Sequence, residues 1–457
     1  MARDTTDDTP LNSVDDLAEY MAQGAKPKSA FRLGTEHEKF GFFMADHTPV
    51  PYFGDASIHT LLTGMAEKLG WEPIMDGEHI IGLAGGSGEG AISIEPGGQF
   101  ELSGAALETL HETEAETAHH LDVVKQIAEP MGIRFLGMGG SPLWSLAQTP
   151  KMPKSRYDIM TRYMPKVGKN GLDMMYRSST IQVNLDFSSE ADMRLKMRVS
   201  TKLQSIATAL FAASPFTEGK PNGMQSWRGE IWRDTDNNRA GLLPFVFQPD
   251  FTFGDYATWA LDVPMYFVVR DGKYHDCTHV TFRQFMNGAL KGEITQWQPT
   301  LGDWTNHLGT LFPDVRLKRF LEMRGADCGP QSHITALSAF WVGLLYDDAA
   351  LAALDELTAN WNLASVTTLR DMVPTQGLNA NIAGRTALDI VRDILPIAKS
   401  GLKARARLNA AGKDESIYLD PLEEIAQTGR TVADIMLEHY NHDWGQSIDP
   451  VFSAYQY

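Results

Sequence analysis

The sequence predicts an α+β fold in which a curved sheet, surrounded by helices, borders a wet cavity. Several predicted strands are apolar on one face and polar on the other, whereas a doubly wound parallel sheet would be apolar on both faces. Strands and helices alternate along the chain. The composition is that of an ordinary globular protein, since 43% of the 457 residues are hydrophobic and the 40 Gly and 23 Pro follow no repeat.

The first predicted strand lies in FRLGTEHEKFGF, residues 31–42. Because successive strand residues point to opposite faces, Glu36 and Glu38 share one face at a separation of about 7 Å. Two carboxylates that close repel each other unless water, a proton or a cation lies between them. A solvated sheet face and a metal site both explain the pair, and this motif alone leaves both open.

The segment AISIEPGGQFELSGA, residues 91–105, alternates apolar and polar residues around a Pro-Gly-Gly break. Ile92 and Ile94 point to one side of the predicted strand. Glu95 and Glu101 have the opposite parity, although the break leaves the register across it open. This segment therefore offers two further carboxylates on a polar strand face.

Two long helices are predicted between the strands. Residues 107–132 carry leucines and valines at helical spacing, and Gly132 ends the pattern. Ser189 followed by Asp192 has the spacing of a capping box and predicts the start of a second helix, which runs to about Ala213.

Two more strands repeat the division into apolar and polar faces. TIQVNLDF is the clearest strand in the sequence, with Gln182 and Asn184 opposite its apolar residues. RFLEMRGAD places Glu322 and Arg324 on one face and Leu321 on the other. These strands complete the pattern that favours a sheet with one wet face.

The polar strand faces share one chemistry, which is that of oxygen ligands. Mg²⁺ or Mn²⁺ takes such ligands from a rigid sheet, whereas Zn²⁺ would call for His and Cys. Several unpaired carboxylates in one cavity would be costly, and two or three divalent ions would neutralise them and bind phosphate oxygens. The polar faces carry Glu36, Glu38, Glu95, Glu101, Gln182, Asn184 and Glu322, with Arg324 close by, and we predict a metal site among them.

Three arginines stand among aromatic or apolar neighbours. They are Arg156 in PKSRYDIM, Arg177 in MYRSST and Arg228 in QSWRGEIW. The planar guanidinium group is the fork-shaped partner of a carboxylate or phosphate, so each is a candidate substrate-binding residue. A structural ion pair is the alternative for each of them.

Charge and cysteine content restrict the partners and the compartment. The formal net charge of −18 disfavours binding to nucleic acid and to anionic membranes. Two cysteines are typical of a reducing compartment, and the acidic start MARDTTDDTP has no apolar targeting segment. No run of about 18 apolar residues occurs. These features predict a soluble, cytosolic protein with neither a nucleic-acid nor a membrane partner.

No linker, charge block or repeat divides the chain. We therefore expect a single catalytic domain over residues 1–457, with a flexible stretch over residues 1–14.

Long blocks of the sequence resemble glutamate–cysteine ligase of the plant and proteobacterial type. They include GTEHEKFGF, SIEPGGQFELSGA, RYDIMTRYMPKVG, GLDMMYRSSTIQVNLDFSSEADM and PDVRLKRFLEMRGAD, and the resemblance runs from about Phe31 to WGQSIDPVF near the end of the chain. It implies a curved, mainly antiparallel sheet that forms a funnel-shaped active site, as in the related glutamine synthetases.

The resemblance also implies roles for individual residues. Glu38, Glu95 and Glu101 would hold one Mg²⁺, and Glu36, Gln182 and Glu322 another, although the wider superfamily often has a histidine in the place of Gln182. Arg156 and Arg228 would hold glutamate and the transferring phosphoryl group, Arg324 would lie beside the γ-phosphate, and Tyr266 would contact the cysteine side.

The implied reaction joins the γ-carboxylate of L-glutamate to the amino group of L-cysteine with ATP as co-substrate, the first step of glutathione synthesis. Small molecules would be the substrates of a monomer or homodimer. Two alternatives stay open: a ligase that joins glutamate to another amine, and a non-catalytic glutamate or nucleotide sensor. Against the sensor, all the proposed ligand positions retain oxygen donors.

The cysteines depart from the plant pattern of paired regulatory cysteines. Cys277 matches one member of a pair, but its partner position falls in LKGEIT, which has no cysteine. Thr335 occupies a position of the other pair, and Cys328 matches neither. We therefore expect no control by a regulatory disulfide.

Overall fold

The computed structural model describes residues 4–457 as strands and helices that alternate along the chain. The strands are β1 (Leu33–His37), β2 (Phe40–Phe43), β3 (Glu72–Asp76), β4 (His79–Ala84), β5 (Ala91–Ile94), β6 (Phe100–Ser103), β7 (Ile133–Leu136), β8 (Thr180–Leu185), β9 (Phe216–Thr217), β10 (Lys220–Pro221), β11 (Ala240–Gly241), β12 (Phe267–Arg270), β13 (Lys273–Asp276), β14 (Phe312–Pro313), β15 (Val315–Leu317), β16 (Leu321–Asp327), β17 (Asn381–Ile382) and β18 (Arg385–Thr386).

Eight of these strands form one sheet in the order β15-β16-β8-β1-β6-β5-β4-β3. Every neighbouring pair in this sheet is antiparallel. The other strands form two-stranded ribbons, which pair β2 with β7, β9 with β10, β11 with β14, β12 with β13 and β17 with β18. The predicted α+β fold with a mainly antiparallel sheet is confirmed.

Helices surround the sheet. The α-helices are α1 (Val14–Ala22), α2 (Ile58–Leu69), α3 (Leu110–Ala128), α4 (Ser155–Tyr163), α5 (Gly171–Arg177), α6 (Glu190–Leu210), α7 (Trp227–Ile231), α8 (Phe253–Leu261), α9 (Phe282–Met286), α10 (Leu301–Gly309), α11 (Gln331–Leu345), α12 (Asp348–Leu357), α13 (Leu363–Gln376), α14 (Ala387–Arg405), α15 (Asp420–Thr428), α16 (Val432–His442) and α17 (Asp449–Ala454). Short 3₁₀ turns span Lys28–Ala30, Glu129–Met131, Met164–Lys166, Pro244–Phe247, Gly377–Asn379 and Glu415–Leu419. Within residues 4–457 no single helix is long and apolar enough to cross a membrane, and only α11 and α12 together, bent by 87° at their junction, reach that length and composition.

The two faces of the sheet differ as the alternating pattern predicts. Ile181, Val183 and Leu185 of β8 are fully buried in the core that includes α6 and α11. Phe100 and Leu102 of β6 are buried in a second core, which includes α2 and α3. The polar residues between them point to the opposite face, so the apolar layer holds the sheet while leaving that face for chemistry.

Both predicted long helices are confirmed, with small differences at their ends. Helix α3 begins after a complete capping box between Thr109 and Glu112, and Gly132 follows its end with a φ of 73°. The Ser189 hydroxyl caps α6 by accepting from the N–H of Asp192, as predicted. The Asp192 carboxylate, however, accepts from the N–H of Ser188 rather than that of Ser189. The hydrogen bond from the backbone to the Asp192 carboxylate is therefore shifted by one residue relative to a capping box.

The predicted flexible stretch over residues 1–14 falls in part on residues 1–3, which lie outside the described residues. The Leu11 N–H donates to the carbonyl of Pro299 at 3.1 Å. Helix α1 begins at Val14 behind a complete capping box formed by Ser13 and Asp16.

Both cysteines are free, fully buried thiols. Burial raises the pKa of Cys277 to about 12 and that of Cys328 to about 11. The Cys328 thiol donates to the backbone carbonyl of Glu38 at 2.9 Å. Because the thiolate is the reactive form, both side chains are chemically inert at neutral pH.

Helix α11, which packs on the sheet, is in close contact with helix α14 through two glycines. Helix α11 packs on β1 and β8 and is crossed by α14. A Cβ at Gly401 of α14 would lie 2.0 Å from the carbonyl oxygen of Gly343 in α11, and a Cβ at Gly343 would lie 2.4 Å from that of Ala398. The two backbones can approach this closely only because both positions lack a side chain.

Replacing Gly401 with alanine should therefore force α14 away from α11. We expect Gly401→Ala to lower the free energy of unfolding by about 1–3 kcal/mol, the usual cost of overpacking a core. Urea denaturation followed by circular dichroism measures it. Ser400→Ala, at the exposed neighbouring position, is the matched control, and equal stability of the two variants would contradict the proposed contact.

Candidate active site

The polar face of the sheet forms one wall of a cavity of about 940 Å³, a volume that includes its open mouth. Five of the six predicted metal ligands line the cavity: Glu36, Glu38, Glu95, Glu101 and Gln182. Three of the predicted arginines, Arg156, Arg228 and Arg324, line it as well. Residues that are far apart in the sequence therefore meet in one place.

Strand register brings these side chains together. Glu36 of β1 lies opposite Gln182 of β8, and Glu101 of β6 lies opposite Ser93 of β5. On the other side of β8, Glu322 of β16 lies opposite Asn184. Since directly paired residues on one face have neighbouring side chains, the pairing concentrates carboxylates and amides at the middle of the sheet.

Burial and mutual repulsion dominate the electrostatics of the carboxylates. The pKa values of Glu36, Glu38 and Glu95 are raised, first by burial and then by neighbouring carboxylates. Glu101 differs in its hydrogen bonds, since its carboxylate accepts from the hydroxyls of Ser93 at 2.7 Å and Ser103 at 2.9 Å. Despite the burial of Glu101, its pKa is lowered. The cluster thus holds negative charge that its own hydrogen bonds only partly compensate.

Glu322 is surrounded by cations. Its carboxylate accepts two hydrogen bonds of 2.7 Å from Arg316, forms an ion pair of 3.1 Å with Lys318 and accepts from Arg324. Although Glu322 is fully buried, these three cations hold its pKa well below the usual range. Arg324 also donates to Oε1 of Gln182 at 2.8 Å. Its guanidinium group is therefore fixed between two of the predicted metal ligands.

Arg228 is anchored at the start of the short helix α7. Its Nη2 donates to the carbonyl of Arg324 at 2.9 Å. The buried carboxylate of Asp327 lies nearby and accepts from the hydroxyls of Ser214 and Ser226. Burial lowers the pKa of Arg228 to about 10, so the group remains a cation at neutral pH.

Arg156 and the neighbouring Tyr157 line the main cavity but not a second, smaller one. The Arg156 guanidinium lies 5.5 Å from the centre of the Tyr157 ring, and the Tyr157 hydroxyl donates to the carbonyl of Ile94 at 2.8 Å. Lys154 is buried, and its pKa is lowered to about 8, first by burial and then by Arg156. Nearby Glu95 acts in the opposite direction on the Lys154 pKa.

Two predicted substrate-binding residues lie outside the cavity lining. Arg177 is buried in ion pairs with Asp173 at 2.6 Å and Glu218 at 2.8 Å, which is the structural alternative expected for such an arginine. Tyr266 is fully buried, with its hydroxyl 3.6 Å from the sulfur of Met164 and its ring under the guanidinium of Arg239. The structure does not bring these two side chains to the others.

Sequence reasoning missed the cations beside Glu322 and the buried Lys154. Arg316 and Lys318 belong to VRLK, in which Val315 and Leu317 enter the core and the basic residues face the site. This period-two pattern predicts a strand that pairs with the strand of Glu322, because only three residues separate β15 from β16. The positions of Arg316 and Lys318 could therefore have been predicted. Nothing in the sequence around Lys154 indicates its burial.

Aromatic rings separate the main cavity from a second, smaller one of about 480 Å³. Trp232, Phe312, Arg228 and Arg324 line both. The Arg324 guanidinium lies 5.6 Å from the ring centres of both Trp232 and Phe312. Stacking of this kind orients a guanidinium group and partly dehydrates it.

The donor set fits a hard divalent cation, since it consists of carboxylate and amide oxygens with uncompensated charge. The buried Oδ1 of Asn184 accepts no hydrogen bond from the part of the chain that the structure describes. Among residues 4–457, no three His, Cys, Asp or Glu side chains are already arranged to hold a metal ion. The side-chain oxygens of Glu36, Glu38, Glu101, Gln182 and Glu322 accept hydrogen bonds instead. Metal binding at these residues would exchange those donors for the cation.

Comparison with known proteins agrees with this architecture. The family model of glutamate-cysteine ligase family 2 (GCS2) matches residues 32–454. Chloroplastic glutamate–cysteine ligases of Nicotiana tabacum and Arabidopsis thaliana are each 54% identical, over 443 and 446 residues, which is 97% of this chain and 83% of each relative. The crystal structure of glutamate–cysteine ligase from Francisella tularensis in complex with AMP has a TM-score of 0.55 at 12% identity and covers 90% of this chain and 85% of that one. At that identity the match shows a shared fold.

The plant relatives also correct one expectation. They are chloroplastic proteins, and this finding contradicts the predicted cytosolic location. Composition could not decide the compartment, because an acidic surface and a low cysteine content suit both the cytosol and a plastid. The family match spans nearly the whole chain, and the chain belongs to glutamate-cysteine ligase family 2.

Proposed function

We propose that this chain joins the γ-carboxylate of L-glutamate to the amino group of L-cysteine with ATP as co-substrate, the first step of glutathione synthesis. The observation that carries the proposal is one cavity in which buried and half-buried carboxylates meet four arginines beside an antiparallel sheet, in a chain of this family. Carboxylates suit cations and arginines suit phosphate and carboxylate groups, which are the two requirements of such a ligase.

A free carboxylate is a poor acyl donor because oxide would be its leaving group. Transfer of the γ-phosphoryl group of ATP to the glutamate side chain breaks the bond between γ-phosphorus and the bridging oxygen, releases ADP and makes an acyl phosphate. The cysteine amine then attacks the acyl carbon, and phosphate leaves with the electrons of the C–O bond. Positioning and charge stabilisation carry most of such a reaction, so no enzyme nucleophile is required.

Glu38, Glu95 and Glu101 would hold one Mg²⁺, and Glu36, Gln182 and Glu322 are the proposed ligands of another; Mn²⁺ could replace either. The bound cations would offset negative charge on the phosphate oxygens. The raised pKa values of Glu36, Glu38 and Glu95 support this assignment, because a cation would restore the ionised forms that burial opposes. Of the six, Glu322 has the most competition, since three basic side chains already contact its carboxylate.

The basic residues would position the reacting groups. Arg324 and Arg228 line both cavities and are the proposed partners of the transferring phosphoryl group. Arg316 would hold Arg324 in place through their shared partner Glu322. Arg156, which lines the main cavity only, is the proposed partner of a substrate carboxylate. On a chain with a net charge of −18, these local cations are what would admit anionic substrates.

The proposed activity is tested by measuring ADP release with glutamate and a panel of amines that includes cysteine, 2-aminobutyrate, glycine and ammonia, with products identified by mass spectrometry. We expect γ-glutamylcysteine as the principal product. Preference for another amine would establish the alternative ligase, and the absence of ADP release with every amine would favour a sensor.

Mg²⁺ should stabilise the protein through Glu38. In the metal-free protein the buried carboxylates repel one another, so a cation that binds only the folded state raises its stability by about 2.7 kcal/mol at one hundred times the dissociation constant. Thermal unfolding with and without Mg²⁺ measures the gain. We expect Glu38→Gln to lose most of it and Glu67→Gln, at an exposed site, to keep it. An undiminished gain in Glu38→Gln would remove this residue from the metal site.

Arg228→Ala should impair glutamate use or phosphoryl transfer much more than cysteine affinity. The loss of one such donor typically lowers kcat by about 10²–10³-fold. Steady-state kinetics with each substrate varied in turn separates the effects. Arg228→Lys keeps the positive charge but not the planar, two-pronged guanidinium group, so its kcat should lie between those of the wild type and Arg228→Ala. A selective rise in the KM for cysteine would move Arg228 to the acceptor side.

Activity should be insensitive to reduction. Both thiols are buried and free, and their raised pKa values keep them protonated. We expect dithiothreitol to leave turnover unchanged and Cys277→Ser to behave like the wild type. A reproducible loss of activity with dithiothreitol, accompanied by a two-proton mass gain of the intact chain, would show a regulatory disulfide.

A further inference from the structure

Residues 4–11 run as an extended strap along the start of helix α10. The Thr5 N–H donates to Oδ1 of Asn306 at 2.9 Å, and Nδ2 of Asn306 returns a hydrogen bond of 3.0 Å to the Thr5 carbonyl. Backbone N–H groups of Gly302 and Leu301 donate to the carbonyls of Asp7 and Thr9. The strap is thus fixed at several points along its length.

The strap ends inside the cavity. Asp4 lines the cavity together with Glu95 and Arg156. Its carboxylate forms an ion pair of 3.2 Å with Nη1 of Arg156 and accepts a hydrogen bond from the Tyr274 hydroxyl. The side chains of Asp4 and Arg156 are 15% and 12% exposed, so the pair is largely withdrawn from water.

The chemistry of this contact is that of substrate recognition. A cavity already rich in carboxylates repels a further one, except where a guanidinium fork and a hydroxyl donor receive it. Both amino-acid substrates of the proposed reaction carry a carboxylate that takes no part in bond formation. The contact of Asp4 with Arg156 and Tyr274 has the donors that such a group needs.

The strap also packs closely against helix α10 at Gly302. A Cβ at Gly302 would lie 2.7 Å from the backbone nitrogen of Asp7 and 3.0 Å from the carbonyl oxygen of Thr5. Alanine at this position would therefore displace the strap without altering Asp4, Arg156 or Tyr274. Helix α10 itself would tolerate the change, because alanine favours a helix more than glycine does.

We propose that Asp4 occupies a subsite, formed by Arg156 and Tyr274, for the non-reacting carboxylate of an amino-acid substrate, and that the substrate must displace the strap to bind. Residues 4–11 then act as a tethered competitor of the substrate. This inference rests on the proposed function only for the identity of the substrates. It adds Tyr274 to the site and gives the acidic start of the chain a role in setting apparent affinity.

Asp4→Asn and Gly302→Ala test the strap in two independent ways. Asp8→Asn, an exposed residue of the same segment, makes the same change of charge and is the matched control. Calorimetric titration with L-glutamate alone and with L-cysteine alone measures binding without turnover, and initial rates with each amino acid varied give KM and kcat. Thermal unfolding verifies that each variant is folded.

We expect both strap variants to bind one amino acid about threefold to tenfold more tightly, the effect of removing a competing charge-assisted hydrogen bond. KM for that amino acid should fall while kcat stays the same, and Asp8→Asn should match the wild type. The amino acid affected identifies whose carboxylate the subsite takes.

Unchanged or weaker binding of both amino acids in Asp4→Asn and Gly302→Ala would overturn the proposal. Failure of the proposed function looks different, because the wild type would then form no γ-glutamylcysteine. Tighter amino-acid binding in the two strap variants would still establish the strap as a competitor.

Discussion

Negative charge buried in one cavity is the constraint on which the rest of this structure depends. Strands β1 and β6, with the residues that directly follow β1 and β5, place four glutamates in the lining of one cavity, and burial raises the pKa of three of them. Such a group of anions persists in a folded protein only with compensation. Hydroxyl donors serve Glu101, three cations serve Glu322, and bound cations would serve the remainder. Burial of the apolar cores behind the sheet stabilises the fold and offsets the repulsion between these carboxylates.

The basic side chains of the site are connected by a chain of ion pairs and hydrogen bonds. Arg316 and Lys318 contact Glu322, Glu322 contacts Arg324, and Arg324 contacts Gln182 and lies beside Trp232. Each member restricts the next, so the guanidinium groups are oriented before any ligand arrives. Preorganised charge of this kind avoids reorganisation during reaction. An acidic protein can in this way handle highly anionic substrates within a restricted region.

The fold and most of the site could be predicted because they follow from local rules. Side-chain alternation assigned Glu36, Glu101, Gln182 and Arg324 to polar strand faces, and each lines the cavity.

The positions of Arg177 and Tyr266 could not be predicted from the sequence pattern. They depend on the tertiary packing of α5 and of the segment before β12, which periodicity does not indicate. The same is true of Lys154, whose burial follows from the fold around it. The predicted capping box of α6 differs by one residue, because the Asp192 carboxylate accepts from the N–H of Ser188. The roles of these residues in metal and substrate binding stay predictions.

The two inert thiols have a practical consequence for following the protein in solution. Cys277 and Cys328 are fully buried and protonated at neutral pH, so neither competes for a thiol-specific dye. A single cysteine introduced at the exposed Thr6 would then carry a fluorophore alone, with no need to remove the native cysteines first. The ten tryptophans of the chain would not interfere with a dye that absorbs visible light. The movement of one short segment could thus be observed optically in an otherwise unaltered molecule.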